Sequence, residues 1–341
     1  MDIRKIDKSN MRQIILDFPK QFDIGVKAAE GIVLDPGTLL RTPENIIICG
    51  MGGSGMPGEI LTTLRPLNVF SYKSYNLPPQ AGNESLIVCI SYSGNTEETI
   101  TSFNAALEKK LPIITITTGG KLEELSRKHN IPCVKLPAPH IPPRLALGQM
   151  FAALLKVLQN NNLVNKKLID EISDMDTVLR AEDSEEEGKK LAKEIFKKIP
   201  IVYVSRRFRE VAWMWKNSLN ETAKVLAFSN YFPELNHNET VGFEEINEDQ
   251  ISSKKVYVII LRDFEDSHPQ ILKQMEITKD LIEREGVQVK FVDMTGKNML
   301  EKIFSSVLLG FWTAFWLAIE YKVDPTEIKM VEEFKKRLKE K

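Results

Sequence analysis

Short continuous apolar runs alternate along this chain with longer stretches of helical period. Ile46–Cys49, Val69–Tyr72, Leu86–Ile90, Ile113–Thr117 and Cys133–Leu136 are such runs, rich in Ile and Val. Strands of a parallel sheet covered on both faces read this way. Helical pattern fills the gaps, as in Glu97–Leu107 and Leu122–His129. Strands alternating with helices predict a doubly wound parallel sheet. The second half repeats the scheme: Ile201–Ser205 corresponds to the first strand, Val256–Leu261 to Leu86–Ile90, and Val287–Val292 to Ile113–Thr117.

The remaining segments frame these two units. Met11–Phe22 is amphipathic, with Ile14, Ile15 and Phe18 on one face and Pro19 as an interruption; a short helix over Gln21–Glu30 follows. Ala138-Pro139-His140-Ile141-Pro142-Pro143-Arg144 is a Pro-rich connector, and Ala146–Leu158 is an apolar helix ended by Asn160-Asn161-Asn162. Lys166–Lys198 is charge-dense and helical, with Glu182–Glu187 as a solvated face or linker. The predicted organisation is a helical arm over 1–41, a first domain over 42–158, a helical linker over 159–198, a second domain over 199–323 and a helical tail over 324–341.

Composition narrows the function. With 341 residues and a formal net charge of −1, two domains are expected, and no basic excess points to nucleic acid or an anionic membrane. The apolar run Ser305–Ile319, with Phe311, Trp312, Phe315 and Trp316, falls short of the ~20 residues that span a bilayer. It is therefore expected to be a core or dimer helix. The N-terminus lacks a signal-peptide apolar region, and the cysteines number three; buried free thiols in a reducing cytoplasm are expected. The four histidines sit in no His-x-x-x-His or His-Glu-x-x-His pattern, so neither a metal nor a cofactor is expected.

Two turns carry the candidate chemistry. After Leu86–Ile90 comes Ser91-Tyr92-Ser93-Gly94-Asn95-Thr96-Glu97-Glu98-Thr99, which leads into a helix. A helix N-terminus offers unpaired N–H donors and a positive dipole end; Ser91, Ser93 and Thr96 add hydroxyls, and Gly94 allows close backbone approach. The same residues could simply form a turn and a helix N-cap. After Ile46–Cys49 comes Gly50-Met51-Gly52-Gly53-Ser54-Gly55, which fits Gly-x-Gly-x-x-Gly. No acidic residue ends the Val69–Tyr72 strand to hold a ribose, which argues against a dinucleotide. Two polar strand-to-helix turns suit one small phosphate better. The second half lacks this chemistry, since Arg262-Asp263-Phe264-Glu265-Asp266 follows its matching strand.

These two motifs, together with Asn220-Glu221 and Leu235-Asn236-His237-Asn238-Glu239, resemble the sugar isomerase (SIS) fold. In particular they resemble the bifunctional phosphoglucose/phosphomannose isomerases of archaea and some bacteria, over essentially the whole chain. The resemblance implies two doubly wound, flavodoxin-like α/β SIS subdomains. It also implies a metal-independent aldose–ketose isomerase that interconverts glucose 6-phosphate or mannose 6-phosphate with fructose 6-phosphate. Gly52, Gly53, Ser54, Ser91, Ser93 and Thr96 would hold the sugar phosphate. One site would be built mainly on the first copy and completed by the second.

The resemblance makes Glu221 the base that moves a proton between C1 and C2; on residues alone an ion-paired surface glutamate is the better reading. His237 lies in a polar loop and would open the sugar ring, reaching the site from the neighbouring subunit of a homodimer with the active site at its interface. Arg144, stiffened by two prolines, would offset enediolate charge; otherwise it is a linker arginine. The family has a functional lysine near its C-terminus, for which Lys335 is the candidate among the tail lysines Lys329, Lys335, Lys336 and Lys339; on residues alone a solvated basic helix face is the better reading. A non-catalytic SIS-type phosphosugar-binding protein is the alternative, and it would need neither Glu221 nor His237.

Overall fold

Strands form where the sequence is a continuous apolar run, because a strand covered on both faces has no solvent side to make polar. The computed structural model describes residues 2–39, 42–64, 68–137, 141–244 and 255–340. These residues divide into two units: Asp17–Arg180, and Met1–Leu16 with Ala181–Lys341.

In the unit Asp17–Arg180 the strands are β1 (Asn45–Cys49), β2 (Val69–Tyr72), β3 (Ser85–Ile90), β4 (Ile113–Thr117) and β5 (Cys133–Lys135). All are parallel, in the order β2-β1-β3-β4-β5. The chain leaves β1 for one side of the sheet and returns through β3 on the other. This reversal opens a ligand crevice beyond the strands' carboxyl ends. Ile46 faces Leu86 and Cys49 faces Cys89 in register, so β1 and β3 end level and their following turns start side by side. One face of the sheet buries Ile47, Cys49, Ile87, Cys89 and Ile113 against Phe103, Ala106 and Leu122. Cys49 and Cys89 are buried free thiols; Cys133 is half-buried and also free.

In the other unit β6 (Ile199–Ser205), β7 (Phe228–Phe232), β8 (Val256–Arg262) and β9 (Gln288–Asp293) form a four-stranded parallel sheet in the order β7-β6-β8-β9. Tyr203, Val258, Ile260 and Val289 pack there against Phe232, Leu235, Phe243, Met275 and Ile282. The apolar run expected over Ser305–Ile319 belongs to a longer helix, Met299–Tyr321, begun by Asn298, whose side chain accepts from Glu301 N. This helix is long and apolar enough to cross a membrane, but 89% of its apolar window is buried in the protein. The helices Ala181–Glu194 and Arg209–Ala223 cover it. Trp312 Nε1 donates to Ala181 O at 2.8 Å, and Gly188 lies directly on Trp312.

The N-terminal lead, expected as one arm, divides at its Asp17 turn. Met11–Leu16 packs on Met299–Tyr321, with Arg12 paired to Glu185 at 2.6 Å, whereas Gln21–Ala28 packs on the helix Leu147–Asn160. The expected 159–198 linker is divided as well: Lys166–Ser173 and Met175–Val178 fall in the first unit and Ala181–Glu194 in the second. Ala138, Pro139 and His140 of the connector lie outside the described residues.

Candidate active site

The Ser91–Thr96 turn is held open by its own backbone and by a neighbouring turn. Gly94 N donates to Ser91 O at 3.0 Å, and Gly94 adopts a left-handed φ of 68°. A Cβ at Gly94 would fall 1.7 Å from Gly119 O, so two backbones meet there as only glycine permits. Leu122 N donates to Gly94 O at 2.9 Å and Thr118 N to Tyr92 O at 3.1 Å, which fastens the turn to the one after β4. Ser91 Oγ donates to Thr96 Oγ1 at 3.0 Å. Thr96 is the N-cap residue of the helix Glu97–Glu108, yet its side chain does not cap it. The first-turn N–H groups of this helix are therefore not capped by the Thr96 side chain. Ser93 is exposed, and its Oγ accepts from Asn95 N at 3.3 Å.

Beside this turn, Gly52–Gly55 forms one 3₁₀ turn that leads into the helix Met56–Leu64. Ser54 is buried, and its Oγ accepts from Tyr92 N at 3.0 Å, tying the two glycine–serine turns together. The Tyr92 hydroxyl is buried, which raises its pKa; Gln149 Nε2 approaches it at 3.4 Å. Arg144 joins the same assembly. Gly53 lies so close to the 3₁₀ turn Pro143–Leu145 that a Cβ would be 2.6 Å from Pro143 O and 2.9 Å from Arg144 Cα. Gln21 Nε2 donates to Leu145 O at 2.8 Å and helps hold that turn. Arg144 is 5% exposed, so it is largely withheld from bulk water and its charge acts more strongly than it would in solvent. Gly52, Gly53, Ser54, Ser91, Ser93, Thr96 and Arg144 thus share one unit.

Glu221, His237 and Lys335 belong to the other unit. Glu221 is half-buried in the last turn of Arg209–Ala223. That helix ends at Lys224 in the left-handed conformation, with Asn220 Nδ2 donating to Val225 O at 2.8 Å. Glu221 lines a cleft of 840 Å³ with Lys216, Asn220, Phe228, Ile328 and Met330. His237 ends the 3₁₀ turn Glu234–His237 and is exposed. Lys335 is exposed on the helix Lys329–Lys339. Among the described residues it makes no ion pair, whereas Lys336 faces Glu340 at 3.8 Å and Arg337 faces Glu333 at 2.7 Å.

The acidic turn after β8 explains the missing phosphate chemistry of the second copy. Lys302, with a side chain 4% exposed, contacts Asp263 at 3.0 Å, Glu265 at 2.7 Å and Asp266 at 2.9 Å. Burial works against this ammonium, but its hydrogen bonds to Glu265, Asp266 and Asp263 outweigh burial and raise its pKa. The hydrogen bond from Lys302, helped by its charge and by Arg207, lowers the Asp266 pKa. Sequence reasoning saw the acidic run but missed Lys302, whose position inside an apolar helix is the available signal: a buried cation needs anions. Among the described residues no group of three or more His, Cys, Asp or Glu side chains could hold a metal ion.

Comparison with known proteins agrees with this architecture. Residues 184–338 match the profile of the bacterial phospho-glucose isomerase C-terminal SIS domain. The bifunctional phosphoglucose/phosphomannose isomerase of Caldicellulosiruptor bescii is 33% identical over 87% of this chain and 90% of its own length. The D-glucosamine-6-phosphate 4-epimerase of Sulfolobus acidocaldarius is 30% identical over 87% of this chain and 90% of its own. The C-terminal domain of the glucosamine-fructose-6-phosphate aminotransferase of Francisella tularensis superposes with a TM-score of 0.71 at 14% identity, covering 93% of this chain and 98% of that one; it shares the fold. With two parallel α/β sheets, hydroxyl-rich turns at the β1/β3 switch point and relatives matched along nearly their full length, the chain belongs to the bifunctional phosphoglucose/phosphomannose isomerase family.

Proposed function

We propose that this protein interconverts glucose 6-phosphate and mannose 6-phosphate with fructose 6-phosphate through a cis-enediol, without a metal. The observation that carries the reading is the pair of glycine–serine turns at the level carboxyl ends of β1 and β3, joined by the Ser54–Tyr92 hydrogen bond. Ser54, Ser93, Thr96 and the first-turn N–H groups of Glu97–Glu108 take the phosphate, which anchors the sugar, while Ser91, fully buried, sets the Thr96 hydroxyl through their hydrogen bond. Glu221 removes the C2 proton of the open-chain aldose. The two aldoses differ only in configuration at C2, and that difference vanishes in the planar enediol. Reprotonation at C1 then yields the same ketose, so one base serves both substrates. Arg144 offsets charge on the enediolate oxygens. His237 moves the proton that opens the ring. It acts on the substrate of a second copy, which makes the working enzyme a homodimer with its active sites at the interface. Lys335 is the tail lysine assigned to the substrate.

The test is a coupled assay of the pure protein on both aldose 6-phosphates, with and without chelator. Both should react, and activity should survive exhaustive chelation. Glu221→Gln keeps the shape and removes the base, so both activities should fall together by roughly 10²- to 10⁴-fold. Loss of glucose 6-phosphate turnover with mannose 6-phosphate turnover spared would exclude a single base. Activity lost to chelation and restored by zinc would exclude the metal-free scheme.

A further inference from the structure

His237 is exposed, yet residues on both sides of it are tied by burial or side-chain hydrogen bonds. Leu235 is fully buried in the core beside Tyr203 and Phe232. Asn236 Oδ1 accepts from Thr278 Oγ1 at 2.8 Å, and Thr240 Oγ1 donates to Leu235 O at 3.1 Å. Asn238 Oδ1 accepts from Glu239 N at 2.7 Å, which starts the 3₁₀ turn Glu239–Phe243. The strongest tie is the Glu239 carboxylate. Tyr203 Oη, from the middle of β6, donates to its Oε1 at 2.7 Å, and Asn230 Nδ2, from β7, donates to its Oε2. Asn230 cannot turn over to suit another partner without loss, because its Oδ1 already accepts from Tyr231 N at 2.8 Å. Burial, and then the facing carboxylate, raises the Tyr203 pKa, so the phenol remains a donor.

We propose that Glu239 is a positioning residue for His237: by bridging Tyr203 on β6 and Asn230 on β7, its carboxylate sets where the two 3₁₀ turns present the imidazole. The inference rests on the ring-opening role given to His237 above. A carboxylate offers two acceptors to two donors. A glutamine in its place offers one acceptor and one amide: turned one way the amide meets the Asn230 amide donor to donor, turned the other it makes the Tyr203 hydroxyl an acceptor, and either way both hydrogen bonds lose their charge assistance. The His237 backbone, two residues away, then loses one of its two anchors to the sheet. Ring opening is the step that suffers, while groups that hold phosphate and enediolate are untouched.

The experiment compares wild type with Glu239→Gln, Tyr203→Phe and the double variant Asn230→Asp/Glu239→Gln. In the double variant the amide donates to the new carboxylate, which keeps an oxygen for Tyr231 N. Two quantities are read: kcat/KM on cyclic glucose 6-phosphate, and Kd for 5-phospho-D-arabinonate, an open-chain probe with no ring to open. Glu239→Gln should lower kcat/KM about 10- to 100-fold, the scale of a misplacement near 1 Å, with Kd unchanged. The double variant should recover most of that loss. Tyr203→Phe removes only a hydroxyl, so it covers the case in which Glu239→Gln does not fold, and it should show the same split more weakly. Wild-type kcat/KM in a folded Glu239→Gln, a double variant no better than the single, or arabinonate affinity lost in parallel with turnover would overturn the proposal. A wild-type protein inactive on glucose 6-phosphate would instead overturn the functional reading beneath it.

Discussion

Gly53→Ala isolates the contact that brings Arg144 to the phosphate turns. Gly53 does not lie in the left-handed region, so alanine meets no backbone penalty there and the effect is purely steric. Its Cβ would stand 2.6 Å from Pro143 O, 2.8 Å from Pro143 C and 2.9 Å from Arg144 Cα, all backbone atoms that cannot swing aside. Reaching ordinary van der Waals contact requires the Pro143–Leu145 turn to retreat by about 0.8 Å. That turn is also held by the Gln21 hydrogen bond to Leu145 O, so moving it strains the packing, at a cost of roughly 1–3 kcal/mol for an overpacked methyl. The same retreat displaces Arg144. A displacement near 1 Å of a catalytic group can cost about 10²-fold, so under the enediolate role proposed for Arg144 a drop of roughly 10-fold or more in kcat is expected, with KM less affected. The assay pairs steady-state kinetics with urea midpoints, with Gly82→Ala as the control, since nothing lies within 4 Å of a Cβ at Gly82. Wild-type stability and kcat in Gly53→Ala, or an equal loss in Gly82→Ala, would refute the reasoning.

Ser93→Ala and Thr96→Val should each remove a charge-assisted hydrogen bond of roughly 1.5–3 kcal/mol, raising KM about 10- to 150-fold with smaller changes in kcat. Unchanged Michaelis constants in both would remove the phosphate assignment. Lys302→Met strands the Asp263 carboxylate, whose side chain is 1% exposed, and should cost about 3–5 kcal/mol in urea unfolding. Because the Asp266 pKa lies below its ordinary 3.8, its share of stability is complete above that pH and is lost as pH falls toward the lower native value. Lys302→Met should flatten this acid limb, and an acid limb as steep as wild type would show that Lys302 does not hold Asp266.

What the chain declares by itself is what depends on neighbours in sequence. β1, β3, β4, β6 and β8 are legible because strands covered on both faces of a parallel sheet must be apolar on both, and few other segments have that need; β9, an edge strand with Gln288, Lys290 and Asp293 exposed, shows only through Val289, Phe291 and Val292. The Ser91–Thr96 turn is legible because its hydroxyls, its glycine and the following helix start lie within a few residues. β7 (Phe228–Phe232) was not legible: it is an edge strand, half exposed, and Ser229 and Asn230 break its apolar pattern. The division of the N-terminal lead was not legible either. Amphipathic spacing shows that Met11–Leu16 and Gln21–Ala28 each bury a face, but not that they bury it in different units. The placement of Arg144 on Gly53, of Lys302 among Asp263, Glu265 and Asp266, and of Glu239 between Tyr203 and Asn230 joins residues distant in sequence. In each case the partner is chosen by which elements the sheet order and the helix packing bring together. A local pattern carries no record of that order, so only the tertiary structure decided it.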